Sequence, residues 1–134
     1  VTIKVGINGF GRIGRNFFRA LLTSGADIQV VGINDLTDTG TLAHLLKYDS
    51  ILGRIGIPVA AAEGAIVVDG TSIPVFAERD PAELPWASVG ADIVVESTGI
   101  FTSADDAHKH VTAGAKKAII YAPAKGEAIT IVIG

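Results

Sequence analysis

The chain has 134 residues, 49% hydrophobic and 19% charged, with a mean hydropathy of +0.46, which describes one core-rich domain and excludes a disordered chain. Eleven basic against fourteen acidic side chains give a net charge of −3, so electrostatics offers no case for nucleic acid or an anionic membrane as partner. No uncharged run exceeds eight residues, which excludes a membrane span of about 20, and the absence of cysteine removes disulfides, thiolate metal sites and thiol nucleophiles.

Residues 1–8 show no basic segment followed by an apolar one, so no export signal is read and a cytoplasmic location is expected. Residues 2–7 form a β-branched run ending at Asn8-Gly9, which predicts a short buried strand. Residues 11–24 carry Ile13, Phe17 and Leu21 on one helical stripe, widened by Phe18 and Leu22, with Gly25 as the stop. Residues 28–33 are nearly continuously apolar, the pattern of a strand covered on both faces. The opening therefore reads β-α-β with a right-handed crossover.

Further along, residues 41–47 predict a short helix, and residues 53–64 carry no assignable pattern. Asp69-Gly70 between residues 65–68 and 71–77 predicts a hairpin with a tight primed turn, and Pro74 predicts that part of its second strand lies at an edge. Residues 80–84 read as one helical turn with Pro81 at its first position. Residues 93–96 predict another buried strand, which runs into Ser97-Thr98-Gly99. Thr102 is placed to cap a helix over residues 103–113, with Asp105 and Asp106 near its positive end and Gly114 at its stop. Residues 117–122 and 128–133 complete the strands. With no repeat and no linker, the expectation is a single α/β domain over residues 1–134, built on a doubly wound, mostly parallel sheet.

Gly9-Phe10-Gly11-Arg12-Ile13-Gly14 is a G-x-G-x-x-G that follows a strand and opens a helix, the context that turns a common glycine pattern into a dinucleotide-binding fingerprint. Gly9 permits the tight turn, Gly11 lets backbone approach a pyrophosphate, and Gly14 lets helix and strand pack closely. The backbone amides of Arg12 and Ile13 then face the phosphates at the helix's positive end. Asp35 lies 21 residues after Gly14, beside Asn34 at the end of the second strand, the spacing expected of a ribose-binding acid. Its charge opposes a 2′-phosphate and so favours NAD over NADP. Asn8 and Asn34, at the ends of the first two strands, complete the candidate wall.

Ser97-Thr98-Gly99 stands at the carboxyl end of a later strand, where open α/β sheets bind ligands; a plain strand-to-helix turn is the other reading. His108 and His110 flank Lys109 on a helix and do not share a face, so joint metal ligation is not expected, and a structural or surface role is read for them and for His44. No nucleophile and base stand at a recognisable spacing, so no catalytic residue and no metal site is assigned.

These residues resemble a known family. V-G-I-N-G-F-G-R-I-G-R from Val5 to Arg15, I-N-D-L at residues 33–36, A-H-L-L-K-Y-D-S at 43–50, A-E-R-D-P at 77–81 and E-S-T-G-I-F at 96–101 are similar to glyceraldehyde-3-phosphate dehydrogenase, as are the later G-A-K-K and A-P-A-K. The resemblance implies the NAD-binding Rossmann domain of that glycolytic oxidoreductase. It implies that Arg12 and Ile13 hold the pyrophosphate, that Asp35 binds the adenosine ribose and Arg79 the adenine region, and that Thr98 and Gly99 lie toward nicotinamide.

The family's nucleophilic cysteine, its histidine and its substrate-phosphate sites belong to a catalytic domain expected beyond Gly134. The chain alone is therefore expected to be inactive, with that domain and homo-oligomer neighbours as the family's partners. Tyr121 stands where the family usually has a small serine at the nicotinamide end; it either meets the ring or fills space. Ile133 and Ala128 replace a common methionine and aspartate, which fits redesign, as does the absence of methionine throughout; chance and removal of an initiator are the other reading. Besides NAD binding, two alternatives follow: part of an active dehydrogenase completed by a separate catalytic domain, or a stand-alone scaffold with no cofactor binding.

Overall fold

The computed structural model describes residues 2–49, 53–54, 56–98, 104–122 and 128–133, with residues 49, 53–54, 104, 121–122 and 128–133 described by backbone alone. The chain runs β1 Ile3–Asn8, α1 Arg12–Ser24, β2 Ile28–Asn34, α2 Thr39–Lys47, β3 Tyr48–Asp49, β4 Gly53–Arg54, β5 Val59–Ala62, β6 Ala65–Val68 and β7 Thr71–Phe76. A 3-10 turn at Pro81–Glu83 follows, then α3 Trp86–Val89, β8 Ile93–Glu96, α4 Ala104–Thr112, β9 Lys117–Ala122 and β10 Ala128–Ile133.

One eight-stranded sheet has the order β10-β9-β8-β1-β2-β7-β6-β5. Its centre, β9-β8-β1-β2-β7, is parallel, and β10, β6 and β5 are antiparallel additions. From β1 the chain first winds to β2 and β7, then returns to the other side of β1 for β8 and β9. That reversal opens a crevice at the carboxyl ends of β1 and β8, where ligands of doubly wound sheets bind. The last four residues of β1 and the last three of β2 and β8 are buried, so the sheet is best covered at the end that carries the crevice.

Packing explains where the helices sit. On α1 the fully buried positions are Gly14 and Phe18, while Ile13, Phe17 and Leu21 are half-buried. The buried face is thus centred one residue beyond the expected stripe, because Gly14 lies directly on the Gly9 carbonyl and near Ile7 of β1. A Cβ at Gly14 would meet that carbonyl. Gly14→Ala is therefore expected to cost about 3 kcal/mol of stability, read from denaturant unfolding. Below the sheet, Trp86 is fully buried against Gly6 and Gly32, and any Cβ at Gly6 would strike its ring.

Helix α2 begins two residues earlier than its apolar pattern indicates, at Thr39, because Asp38 caps it. The Asp38 carboxylate accepts from the Thr41 N–H at 2.8 Å and the Thr41 hydroxyl at 2.9 Å. Those bonds, the backbone one first, hold its pKa below the ordinary 3.8. A lowered folded-state value gives stability that is complete above 3.8 and lost as pH falls through the folded value. Asp38→Ala should lower the melting temperature near neutral pH, and the two melting curves should converge as the pH falls below 3.8 and through the lowered folded-state value.

The Asp69-Gly70 turn has positive φ at both residues, 51° and 82°, as a type I′ hairpin requires. Pro74 sits as expected in a stretch paired on one side: β7 pairs with β6 over Thr71–Pro74, and with β2 only beyond it, at Val75 and Phe76. Val75 donates to the Gly64 carbonyl at 2.8 Å, so the Ala65–Pro74 pair is a non-hydrogen-bonded one and the missing N–H costs the hairpin nothing. Within the unassigned 53–64 stretch, β4 pairs with β3 and β5 with β6. The expected cap Thr102 lies outside the described residues.

Candidate functional site

A cavity of about 370 Å³ opens at the carboxyl ends of β1, β2 and β8. Of the residues expected from sequence, Asn8, Gly9, Gly11, Asn34, Asp35, Arg79, Ser97 and Thr98 line it, joined by Leu36 and Glu78, which sequence reasoning missed. Gly14 and the Phe10 ring are buried in the packing beneath, and Arg12 and Ile13 begin α1 beside Gly11. Gly99 and the Tyr121 side chain lie outside the described residues.

The turn that carries the glycines is tied down on every side. Gly9, at φ 92°, fits under Thr98, where any Cβ would collide. The Ser97 hydroxyl donates to the Gly9 carbonyl at 2.7 Å, so it clips β8 to the turn instead of pointing its proton into the cavity. Phe10 packs edge-to-face on Phe18 at 5.8 Å, and its N–H donates to Asp35 at 2.7 Å. The second Asp35 oxygen accepts from the Thr37 N–H at 2.9 Å. The carboxylate is thereby held in one orientation at the cavity wall, half-buried, with lone pairs remaining for a ligand hydroxyl.

Helix α1 presents its N-terminus here with Gly11 as its cap, no side-chain cap and no acid in the first turn. Among the described residues, a Cβ on Gly11 would meet nothing within 4 Å beyond its chain neighbours, and it would stand in the cavity. Backbone donors at the positive end of a helix, with no side chain in front of them, suit a phosphate. Leu36 is 55% exposed on the rim and gives the cavity an apolar wall beside Asp35 and Arg79.

Under the cavity lies a row of buried polar groups. Asn34 exchanges two bonds with the Glu78 backbone, both 2.9 Å, and donates to Asn8 at 2.7 Å. Asn8 donates to Glu96 at 2.7 Å. Glu96 also accepts from His110 at 2.6 Å, from the Thr98 hydroxyl at 2.6 Å and from the Thr98 N–H at 3.1 Å. Trp86 closes the row by donating to His110 at 3.0 Å. His110 is thus structural, as read, while His44 and His108 are exposed. Glu96 was missed, although an acid ending the uncharged run Ile93-Val94-Val95, at the ligand-binding edge, was a signal.

Switch-point sheet, glycine turn and wall-mounted aspartate together define a dinucleotide-binding α/β domain. The family described as glyceraldehyde 3-phosphate dehydrogenase, NAD binding domain, matches residues 3–104. Over all 134 residues the chain is 63% identical to glyceraldehyde-3-phosphate dehydrogenase of Streptomyces coelicolor and 62% identical to that of Geobacillus stearothermophilus. Glyceraldehyde-3-phosphate dehydrogenase 2 of Streptomyces avermitilis is likewise 62% identical. The chain belongs to the glyceraldehyde-3-phosphate dehydrogenase family, and the cofactor of this domain class is NAD. It spans 40% of the length of these relatives. Among the described residues, no helix is long and apolar enough to cross a membrane.

Proposed function

We propose that this chain binds NAD in the cavity at the carboxyl ends of β1, β2 and β8. The observation that carries this reading is that Gly11 and a locked Asp35 line the same cavity. The first-turn amides of Arg12 and Ile13 hold the pyrophosphate, and Asp35 accepts from the adenosine ribose hydroxyls. Leu36 and Arg79 flank the base, and Thr98 with Gly99 borders the nicotinamide half, to which Tyr121 is adjacent. Phe10, Gly14 and Ser97 shape the turn through their packing, and Asn8 and Asn34 brace the floor. When bound, NAD supplies the hydride acceptor of an oxidation.

The aldehyde oxidation and phosphorylation of the family need a thiol nucleophile, and the 134 residues contain no cysteine. In this proposal the chain alone carries no catalytic residue, and the reaction belongs to an assembly with a catalytic domain and like subunits, working in the cytoplasm. Thermal unfolding tests the binding step. NAD at ~100 times its dissociation constant should stabilise the fold by about 2.7 kcal/mol, with a smaller gain from NADP at the same concentration. No change in melting temperature with NAD would favour a scaffold without cofactor binding.

A further inference from the structure

Glu96 is 1% exposed, and its four hydrogen-bond donors are all neutral: an amide, an imidazole, a hydroxyl and a backbone N–H. The state of the imidazole follows from its other neighbour. Indole Nε1–H only donates, so His110 Nδ1 must accept from Trp86 and the ring's single proton sits on Nε2, facing Glu96. A doubly protonated ring would set N–H against N–H. From the opposite end, the Glu78 N–H fixes the Asn34 amide, which fixes the Asn8 amide with its NH2 toward Glu96. Two fixed donors, at the two ends of the row, thus direct every dipole between them at one carboxylate. Among the described residues no lysine or arginine pairs with it.

A buried anion held by neutral dipoles keeps more of its field than one paired with a cation or bathed in water. Its place decides where that field falls. Asp35 at the end of β2 fixes the adenosine half on one side of the switch point, so the nicotinamide half crosses β1 toward β8 and β9. Glu96 is the last residue of β8, and two of its partners, Asn8 at 2.7 Å and the Thr98 hydroxyl at 2.6 Å, line the cavity.

We propose that Glu96 is a specificity-determining residue that favours the cationic, oxidised nicotinamide ring over the neutral, reduced one. The inference rests on the NAD-binding reading above. Glu96 acts at a distance, through its charge, and touches no ligand atom; it also positions Thr98.

The test is calorimetric: the affinities of NAD+, NADH and ADP-ribose for the unaltered chain, Glu96→Gln and Glu96→Asp, with circular dichroism on each. The unaltered chain should bind NAD+ more tightly than NADH. Glu96→Gln should move the NAD+ to NADH affinity ratio about threefold toward NADH, the effect of one unit charge at ~12 Å through an effective dielectric of ~40. Glu96→Asp keeps the charge and should keep the ratio, even where it weakens all three ligands together through Thr98. A purely structural role would lower the three affinities in proportion and leave the ratio alone. Tighter NADH binding by the unaltered chain overturns the proposal, whether or not Glu96→Gln folds, and so does an unchanged ratio in folded Glu96→Gln. If the unaltered chain binds none of the three ligands, the NAD-binding reading itself fails; if it binds ADP-ribose and fails only on the ratio, that reading stands and the inference falls.

Discussion

Asp35→Ala is expected to weaken NAD binding about thirtyfold and to narrow the preference for NAD over NADP. A hydrogen bond to an ionised group contributes roughly 1.5–3 kcal/mol, and a thirtyfold loss corresponds to about 2 kcal/mol, one such bond to a ribose hydroxyl. The Phe10 and Thr37 amides that hold the carboxylate at 2.7 and 2.9 Å make it effective, because its orientation is set before a ligand arrives. Removal also takes away the negative charge that repels a 2′-phosphate, so NADP should lose less than NAD. Titration of both cofactors into the variant reads the two effects at once. An unchanged NAD affinity would place the ribose elsewhere.

The second large effect is expected at Gly11, where folding and binding separate. Gly11 has φ −76° and ψ −160°, backbone that alanine adopts without strain. A Cβ there meets no atom of the other described residues within 4 Å, so Gly11→Ala should leave stability within about 0.5 kcal/mol. The methyl group would stand between the cavity and the first-turn amides of α1, and NAD affinity should fall at least tenfold. Gly14→Ala, three positions along the same fingerprint on the packed side of the helix, should do the reverse and damage the fold first. Loss of stability in Gly11→Ala with NAD affinity retained would contradict this division of roles.

Much of this was legible from residue pattern alone. The glycine turn, α1, β2 and the hairpin at Asp69-Gly70 depend on local chemistry, and each formed within a residue or two of its expected bounds. Asp35 was found because its spacing from the glycines is imposed by the β-α-β unit itself. The misses share another cause. The buried face of α1 moved toward Gly14 because a contact with Gly9, not the apolar stripe, sets the helix's rotation. Glu96, Trp86 and His110 are 10 to 24 residues apart in sequence and meet only when α3, β8 and α4 pack. Only tertiary contact reveals that Asn8 and Asn34 brace one another.

The central claim is that this domain alone forms a working NAD site. Its most direct test is calorimetric titration of the 134-residue chain with NAD, with NADP and Asp35→Ala as comparisons. The account predicts saturable binding of one NAD per chain, weaker for NADP and much reduced in Asp35→Ala. An absence of heat with NAD, in a chain shown to be folded, would contradict it.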